Sequence, residues 1–257
     1  MLANNNKAII NKLAKNSVKT NKKQYAILFF TIILSAFMLF CVFTIGMTYL
    51  NSSRLQNTRL NGAEYDIVTM NGFTSEQLNT LQQNENIRSV GIESYAGFIQ
   101  STEYDKTVEI GLLWCDEVFW DNLMSPARTK LDGHYPQNKN ELMVTKDILK
   151  TCGNENLSVG DSLILTYENN TGVYTDEFVI SGIWDGYGDT SAGFVSKAFY
   201  DETGYDLKNN GILCIKLNCN YVFPTTIQSI EKSLDFSDRQ IFAPTGYIEN
   251  SFKLLLG

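Results

Sequence analysis

The sequence is short of the residues that most catalytic chemistry needs. Its 257 residues hold one histidine, His134, and no Cys-x-x-Cys or His/Cys cluster, so nothing has the spacing of a zinc site. No G-x-x-x-x-G-K-[ST] loop occurs, and the polypeptide therefore has no phosphate cradle with which to hydrolyse ATP itself. No acidic residue precedes the long apolar run, and no charged residue of either sign stands between Lys23 and Arg54. Cysteine is sparse: Cys41 lies in the run, while Cys115, Cys152, Cys214 and Cys219 allow three pairings if oxidised. Buried or free thiols are the expectation, because about 200 residues can build a core without covalent staples. No segment repeats at a fixed period.

What is present is first of all that run. Tyr25–Leu50, YAILFFTIILSAFMLFCVFTIGMTYL, is 26 residues long and nearly all apolar. At ~1.5 Å per residue a helix of this length covers roughly 39 Å, more than the ~30 Å hydrocarbon core of a bilayer. A cleaved signal peptide would have an apolar region of ~7–15 residues and a small-residue cleavage site, and neither is found. Lys7, Lys12, Lys15, Lys19, Lys22 and Lys23 precede the run, six of the 21 basic residues. The remaining 15 face all 28 acidic residues, so the segment after the run carries −13. Flanking cations stay on the cytoplasmic side, which predicts an inside N-terminus and an acidic extracytoplasmic bulk. That acidity argues against nucleic-acid binding. Residues 1–24 read as a cytoplasmic basic amphipathic helix, with Ile10, Leu13, Ala14, Ser17 and Val18 on one face and Lys12, Lys15, Lys19, Lys22 and Lys23 forming the basic flank.

Beyond residue 51 the pattern predicts an α+β domain extending to 245. Strands are expected at Glu64–Met70, Ile87–Ser101, Val108–Trp114, Leu142–Thr145, Ser162–Tyr167, Glu177–Trp184, Gly193–Ser196, Ile212–Leu217 and Gln240–Ala243. Helices are expected after a Thr74 cap, at Asp116–Met124, from Lys146 to about Cys152, at Lys197–Thr203 and at Thr225–Leu234. The order suggests a split β-α-β lobe (about 62–105 and 210–245) interrupted by a β-rich lobe (about 106–209). Residues 246–257 turn apolar and read as the start of a truncated following helix.

The candidate special residues are structural. Gly133, Pro136 and Glu141 lie in LDGHYPQNKNELMVT, a turn feeding a strand, where Glu141 is expected to accept backbone hydrogen bonds. His134 and Glu141 as an acid–base pair lack a nucleophile and a second carboxylate. Gly160 and Asp161 form a turn before an alternating strand, and Asp161 has no companions at the spacing of a calcium loop. Gly182, in FVISGIW, marks a bulge or a close approach. The loop DGYGDTSAG, with Asp185 and Asp189, reads as solvated, with Tyr187 as a possible contact residue. Asn51, Asn156 and Asn169 head Asn-x-Ser/Thr triplets, as expected by chance in so Asn-rich a chain.

One ordered set of segments resembles a known family. A Lys-rich LAKNSVKTNKKQY enters a single span, and EYDIV, DGHYPQNKNELMVTKDIL, SVGDSLILTY and FVISGIW follow in that order. The arrangement is similar to the N-terminal part of MacB/FtsX-type ABC transporter permeases over residues 7–257. The resemblance implies a non-catalytic permease subunit with no cofactor of its own, working in the membrane with a separate ABC ATPase. It also implies a homodimer or a pairing with a second permease. Its extracytoplasmic MacB-like core domain would relay ATPase-driven motion for export or mechanotransmission. The family's three further spans are missing after Leu256, so this chain reads as an N-terminal portion. The alternative is a single-pass anchored binding or sensor protein, and coding sequence beyond Gly257 separates the two. An anchored envelope hydrolase, the third reading, has no triad, dyad or metal set.

Overall fold

The computed structural model describes residues 7–100, 110–187, 192–218 and 224–245. Expectations for Tyr104, Asp189, Cys219 and the apolar tail 246–257 lie outside the described residues. The chain divides into two compact units, Met1–Ser52 and Ser53–Gly257.

The first unit is helical. Helix α1 (Lys7–Thr20) exposes Ile9, Ile10, Leu13 and Val18, and a bend at Asn21 separates it from α2 (Lys22–Asn61). Ser17 Oγ and Tyr25 Oη meet at 3.1 Å across that bend. Helix α2 is the one helix among the described residues that is long and apolar enough to cross a membrane. Phe30, Phe40 and Phe43 stand at 67–70 % exposure, the surface expected of a helix solvated by lipid rather than by protein. The last turns of α2, from Ser53 to Asn61, belong to the second unit.

The second unit is mixed α+β, built on one ten-stranded sheet. Strands β1 (Ile67–Met70), β2 (Ile87–Ile99), β9 (Ile212–Leu217) and β10 (Ile241–Pro244) lie in the order β10-β1-β9-β2, all antiparallel. Helices α3 (Ser75–Gln83) and α7 (Pro224–Ser233) supply Leu81, Ile227 and Ile230, which pack with Ile67, Val90 and Ile215 of the strands. Connection through a helix in each half gives the split β-α-β arrangement. Helix α3 starts where the sequence places it, because Thr74 and Gln77 form a reciprocal capping box.

Strand β2 then changes partners. Its first half pairs with β9 and its second with β3 (Ile110–Cys115), Glu93 being paired to both Ile212 and Cys115. From β3 the sheet passes to β8 (Ala192–Val195), β5 (Glu141–Thr145) and β7 (Gly172–Gly186). Strand β6 (Ser162–Asn169) pairs with β7 and, through Tyr167 and Glu168, with β2. The pairings β2-β3-β8-β5-β7-β6-β2 therefore close a six-stranded ring. Alternation fills it: Ile110, Leu112 and Trp114 from β3, and Leu163, Leu165 and Tyr167 from β6, all pack in one core. Helices α4 (Lys146–Thr151) and α5 (Lys197–Tyr200) add Ile148, Leu149, Phe199 and Tyr200 to that core.

Three elements, an edge strand, β7 and a short helix after residue 206, differ from the sequence expectation. Strand β4 (Arg128–Gly133) is an edge strand on β7, and its residues from Thr129 on are exposed, so no hydrophobic alternation announces it. Strand β7 runs from Gly172, five residues before the expected start, because its polar first half is held by pairing with β6 rather than by burial. The segment Val118–Leu123 is a π-helix followed by a 3₁₀ turn, Ser125–Ala127. It lies so close over β2 that a Cβ on Gly91 would stand 2.8 Å from the Phe119 Cα. A third core sits here, where Phe119, Trp120 and Leu123 pack with Ala63, Val68, Trp184 and Phe194. A short helix, α6 (Leu207–Asn210), has no apolar stripe of its own and follows an Asp206 cap.

Candidate functional site

Charged side chains inside a sheet are costly unless paired, and this domain concentrates them at one place. Lys216 projects from β9, a strand whose residues from Leu213 on are all buried, and is itself 6 % exposed. Its ammonium reaches Asp66 at 3.1 Å and Glu64 at 3.3 Å. Asp66, 4 % exposed, also accepts from the Leu217 amide at 2.9 Å. Glu64 forms a second ion pair with Arg54, which stands on the last turns of α2. Burial pushes the Glu64 carboxyl up, but Lys216 and Arg54 outweigh it and hold its pKa below the ordinary value.

The same helical turns are held further by burial and by one ring contact. Thr58 is buried, and the Arg59 guanidinium lies 4.1 Å above the centre of the Tyr187 ring. Behind them, the Glu64 amide donates to the Leu123 carbonyl at 2.6 Å. Residues 53–66 are thus clamped to β9, to the π-helix and to the end of β7 by charge, ring stacking and backbone. Tyr187, kept from the sequence as a contact residue, makes its ring contact within the domain.

The turn residues read from the sequence gather elsewhere, around residues 179–182 of β7. Gly133 has φ +85°, and a Cβ there would stand 2.2 Å from the Ser181 carbonyl oxygen, so only glycine fits. His134 N donates to that same oxygen at 2.9 Å. Pro136 is buried beyond it. Glu141 accepts from the amides of Gln137 at 2.7 Å and Asn138 at 3.1 Å and from the Asn138 side chain at 2.8 Å. Burial pushes its carboxyl up, while these bonds and His134 together outweigh it and bring the pKa below its ordinary value. Gly160 N donates to the Ile180 carbonyl, Ile180 N donates to the Asp161 carbonyl, and Asp161 Oδ2 accepts from Ser158 N at 2.8 Å. A Cβ on Gly182 would meet the His134 carbonyl at 2.9 Å. These residues pin the β4–β5 and α4–β6 connections to one strand.

Lys12, Lys15, Lys19, Lys22 and Lys23 are all exposed, the first three on α1 and the last two on the opening turn of α2. Among the described residues no group of three His, Cys, Asp or Glu is placed to hold a metal ion, and Cys41, Cys115, Cys152 and Cys214 are free thiols. Sequence reasoning missed Arg54, Glu64, Asp66 and Lys216. The available signal was a lysine in ILCIKL and an aspartate in EYDIV, charges flanked by strand-forming residues.

No protein-family model matches the sequence, and no curated protein matches it. Solved structures do match. The periplasmic region of MacB from Actinobacillus actinomycetemcomitans is similar over 76% of this chain and 95% of its own, at 14% identity and a TM-score of 0.48. A domain of a putative permease protein from Porphyromonas gingivalis is similar over 70% of this chain and 88% of its own, at 11% identity and a TM-score of 0.42. The extracellular domain of the noncanonic ABC-type transporter YknZ from Gram-positive bacteria is similar over 70% of this chain and 98% of its own, at 12% identity and a TM-score of 0.43.

Proposed function

We propose that this chain is the N-terminal portion of a permease subunit of an ABC transporter of the MacB/FtsX type. It anchors an extracytoplasmic domain and passes motion of its membrane helix into that domain. The observation that carries the reading is a single helix, α2, with an apolar run of 26 residues at one end and, at the other, Arg54 in an ion-pair network that reaches the buried Lys216 and Asp66. A flexible tether would serve an anchor equally well. A helix clamped through Arg54, Thr58 and Arg59 suits a part that must transmit displacement.

In this reading the lysine flank lies in the cytoplasm with α1 along the inner leaflet, where anionic headgroups meet Lys12, Lys15 and Lys19. The subunit carries no catalytic residue, works with a separate ATPase, and pairs with a second permease or a second copy. The domain boundaries at 24, 50 and 245, and the turn roles of Gly133, Pro136, Glu141, Gly160, Asp161 and Gly182, are part of the same proposal.

Affinity purification of the full-length gene product from its native membrane tests the reading. Co-purification of an ATPase with a P-loop, retained through washing and absent from a control membrane protein, is the expected outcome. Recovery of the chain alone under conditions that preserve other transporter complexes sinks the permease reading and favours a single-pass binding protein.

A further inference from the structure

Beside the helix–sheet joint lies a cleft of about 280 Å³, walled by Tyr65, Phe119, Trp184 and Phe194, with Glu93 among its lining residues. Glu93 is the residue at which β2 leaves β9 for β3. Three features of this carboxylate bear on what it can bind. It is half-buried beside the aromatic walls, and burial alone pushes its pKa up to about 7. Among the described residues no hydrogen bond or ion pair reaches its carboxyl, whereas Glu64, Asp66 and Glu141 are all satisfied. The ionisable groups facing it are Tyr65 before β1, Cys214 of β9, Cys115 at the end of β3, and Tyr135. Burial pushes the pKa of each of them up. The cation that acts on one of them, Arg128 of β4 on Cys115, lies 4.1 Å above the centre of the Trp120 ring and forms no ion pair with Glu93.

A carboxylate kept in such a wall is costly when ionised unless its counter-charge comes from outside. Aromatic faces around it attract the same kind of guest, since ring quadrupoles favour cations. We infer that this cleft is a binding site for an organic cation, an ammonium or guanidinium on a short apolar stem, with Glu93 as its counter-ion and Trp184, Tyr65, Phe119 and Phe194 as its walls. The volume lies at the small end of ligand sites, matching a small amine or a single basic side chain of a larger molecule. The site lies on the same face as the π-helix, an irregularity that positions Phe119 over β2. The inference stands independently of the permease reading, because it uses only residues of the folded domain.

Calorimetric titration of the full chain in phosphatidylcholine nanodiscs tests it. Three probes are compared: n-butylammonium, 1-butanol as its uncharged isostere, and N-acetyl-lysine amide as a polypeptide side chain. At pH 8.5 n-butylammonium is expected to bind at least tenfold more tightly than 1-butanol. Its affinity is expected to fall at least tenfold at pH 5.5, where Glu93 is protonated, and at least tenfold in Glu93→Gln at pH 8.5. Binding of the lysine amide as well assigns the site to a basic side chain, and its exclusion assigns the site to a free amine. If Glu93→Gln fails to fold by circular dichroism, Glu93→Asp must retain the pH-dependent binding and Trp184→Leu must weaken it. Equal binding of 1-butanol, or undiminished n-butylammonium binding in a folded Glu93→Gln, overturns the inference.

Discussion

Individual residues differ sharply in how far their neighbours dictate them. Gly133 has no alternative: its positive φ and the Ser181 carbonyl 2.2 Å from a would-be Cβ penalise every L side chain twice. Gly133→Ala is expected to lower unfolding free energy by roughly 2–4 kcal/mol, read from urea denaturation midpoints at unchanged slope. A loss below about 0.5 kcal/mol would mean the β4–β5 turn relaxes freely. Gly182, two residues from the Ile180–Gly160 contact, is also tightly walled, but it has no positive φ and its nearest backbone atom, the His134 carbonyl oxygen, stands 2.9 Å from a would-be Cβ, so its cost is smaller. The residue types at these turns were readable in the sequence because Gly, Pro and Glu in turns answer to local backbone geometry. Glu93 was not readable, since its significance comes from what stands opposite it on β3, β9 and the π-helix.

Among the elements, the end of α2 is held by charge rather than by a greasy stripe, and this sets how it responds to mutation and to pH. Lys216→Met keeps the volume of the stem but leaves the Asp66 carboxylate buried without its cation. A loss of about 3–5 kcal/mol is expected, read by thermal unfolding of the detergent-solubilised chain. The double change Lys216→Met with Asp66→Asn should recover a substantial part of it, because the stranded charge is then gone. The Glu64 pKa is depressed in the folded state, so its contribution is complete above the ordinary value of 4.5. It is lost as pH falls through the lower folded value. Lys216→Met removes the larger of the two cationic causes of that depression. Its stability should therefore fall less than that of the parent chain between pH 4.5 and pH 3, and an unchanged acid dependence would exclude Glu64 as the titrating group.

At the scale of the whole molecule the asymmetry of charge is the governing property. Six lysines precede the apolar run, with no acid among them, and −13 follows it. Replacing Lys12, Lys15, Lys19, Lys22 and Lys23 by Gln leaves one cation on that side, and a mixed orientation is expected. Tags at Met1 and after Gly257, probed with external protease in intact cells, would read the proportion. A wholly unchanged orientation would show that the folded domain, not the flank, decides topology. The shared strand β2 gives the domain its other global property, since it belongs both to the four-stranded layer under α3 and α7 and to the closed ring. A displacement at its midpoint, where Glu93 sits, reaches both.

The sequence by itself determined the apolar helix, the sign of its flanks, the capping of α3 and most strands whose faces alternate, because each depends on neighbours within one or two turns of chain. Only the tertiary structure decided that β4 exists, that β7 reaches back to Gly172, that β6 closes a ring onto β2, and that Arg54, Glu64, Asp66 and Lys216 meet. Pairing of an exposed edge, closure of a sheet and neutralisation of a buried charge are all set by partners up to 152 residues away, as in the Glu64–Lys216 ion pair. Local pattern carries no record of such partners.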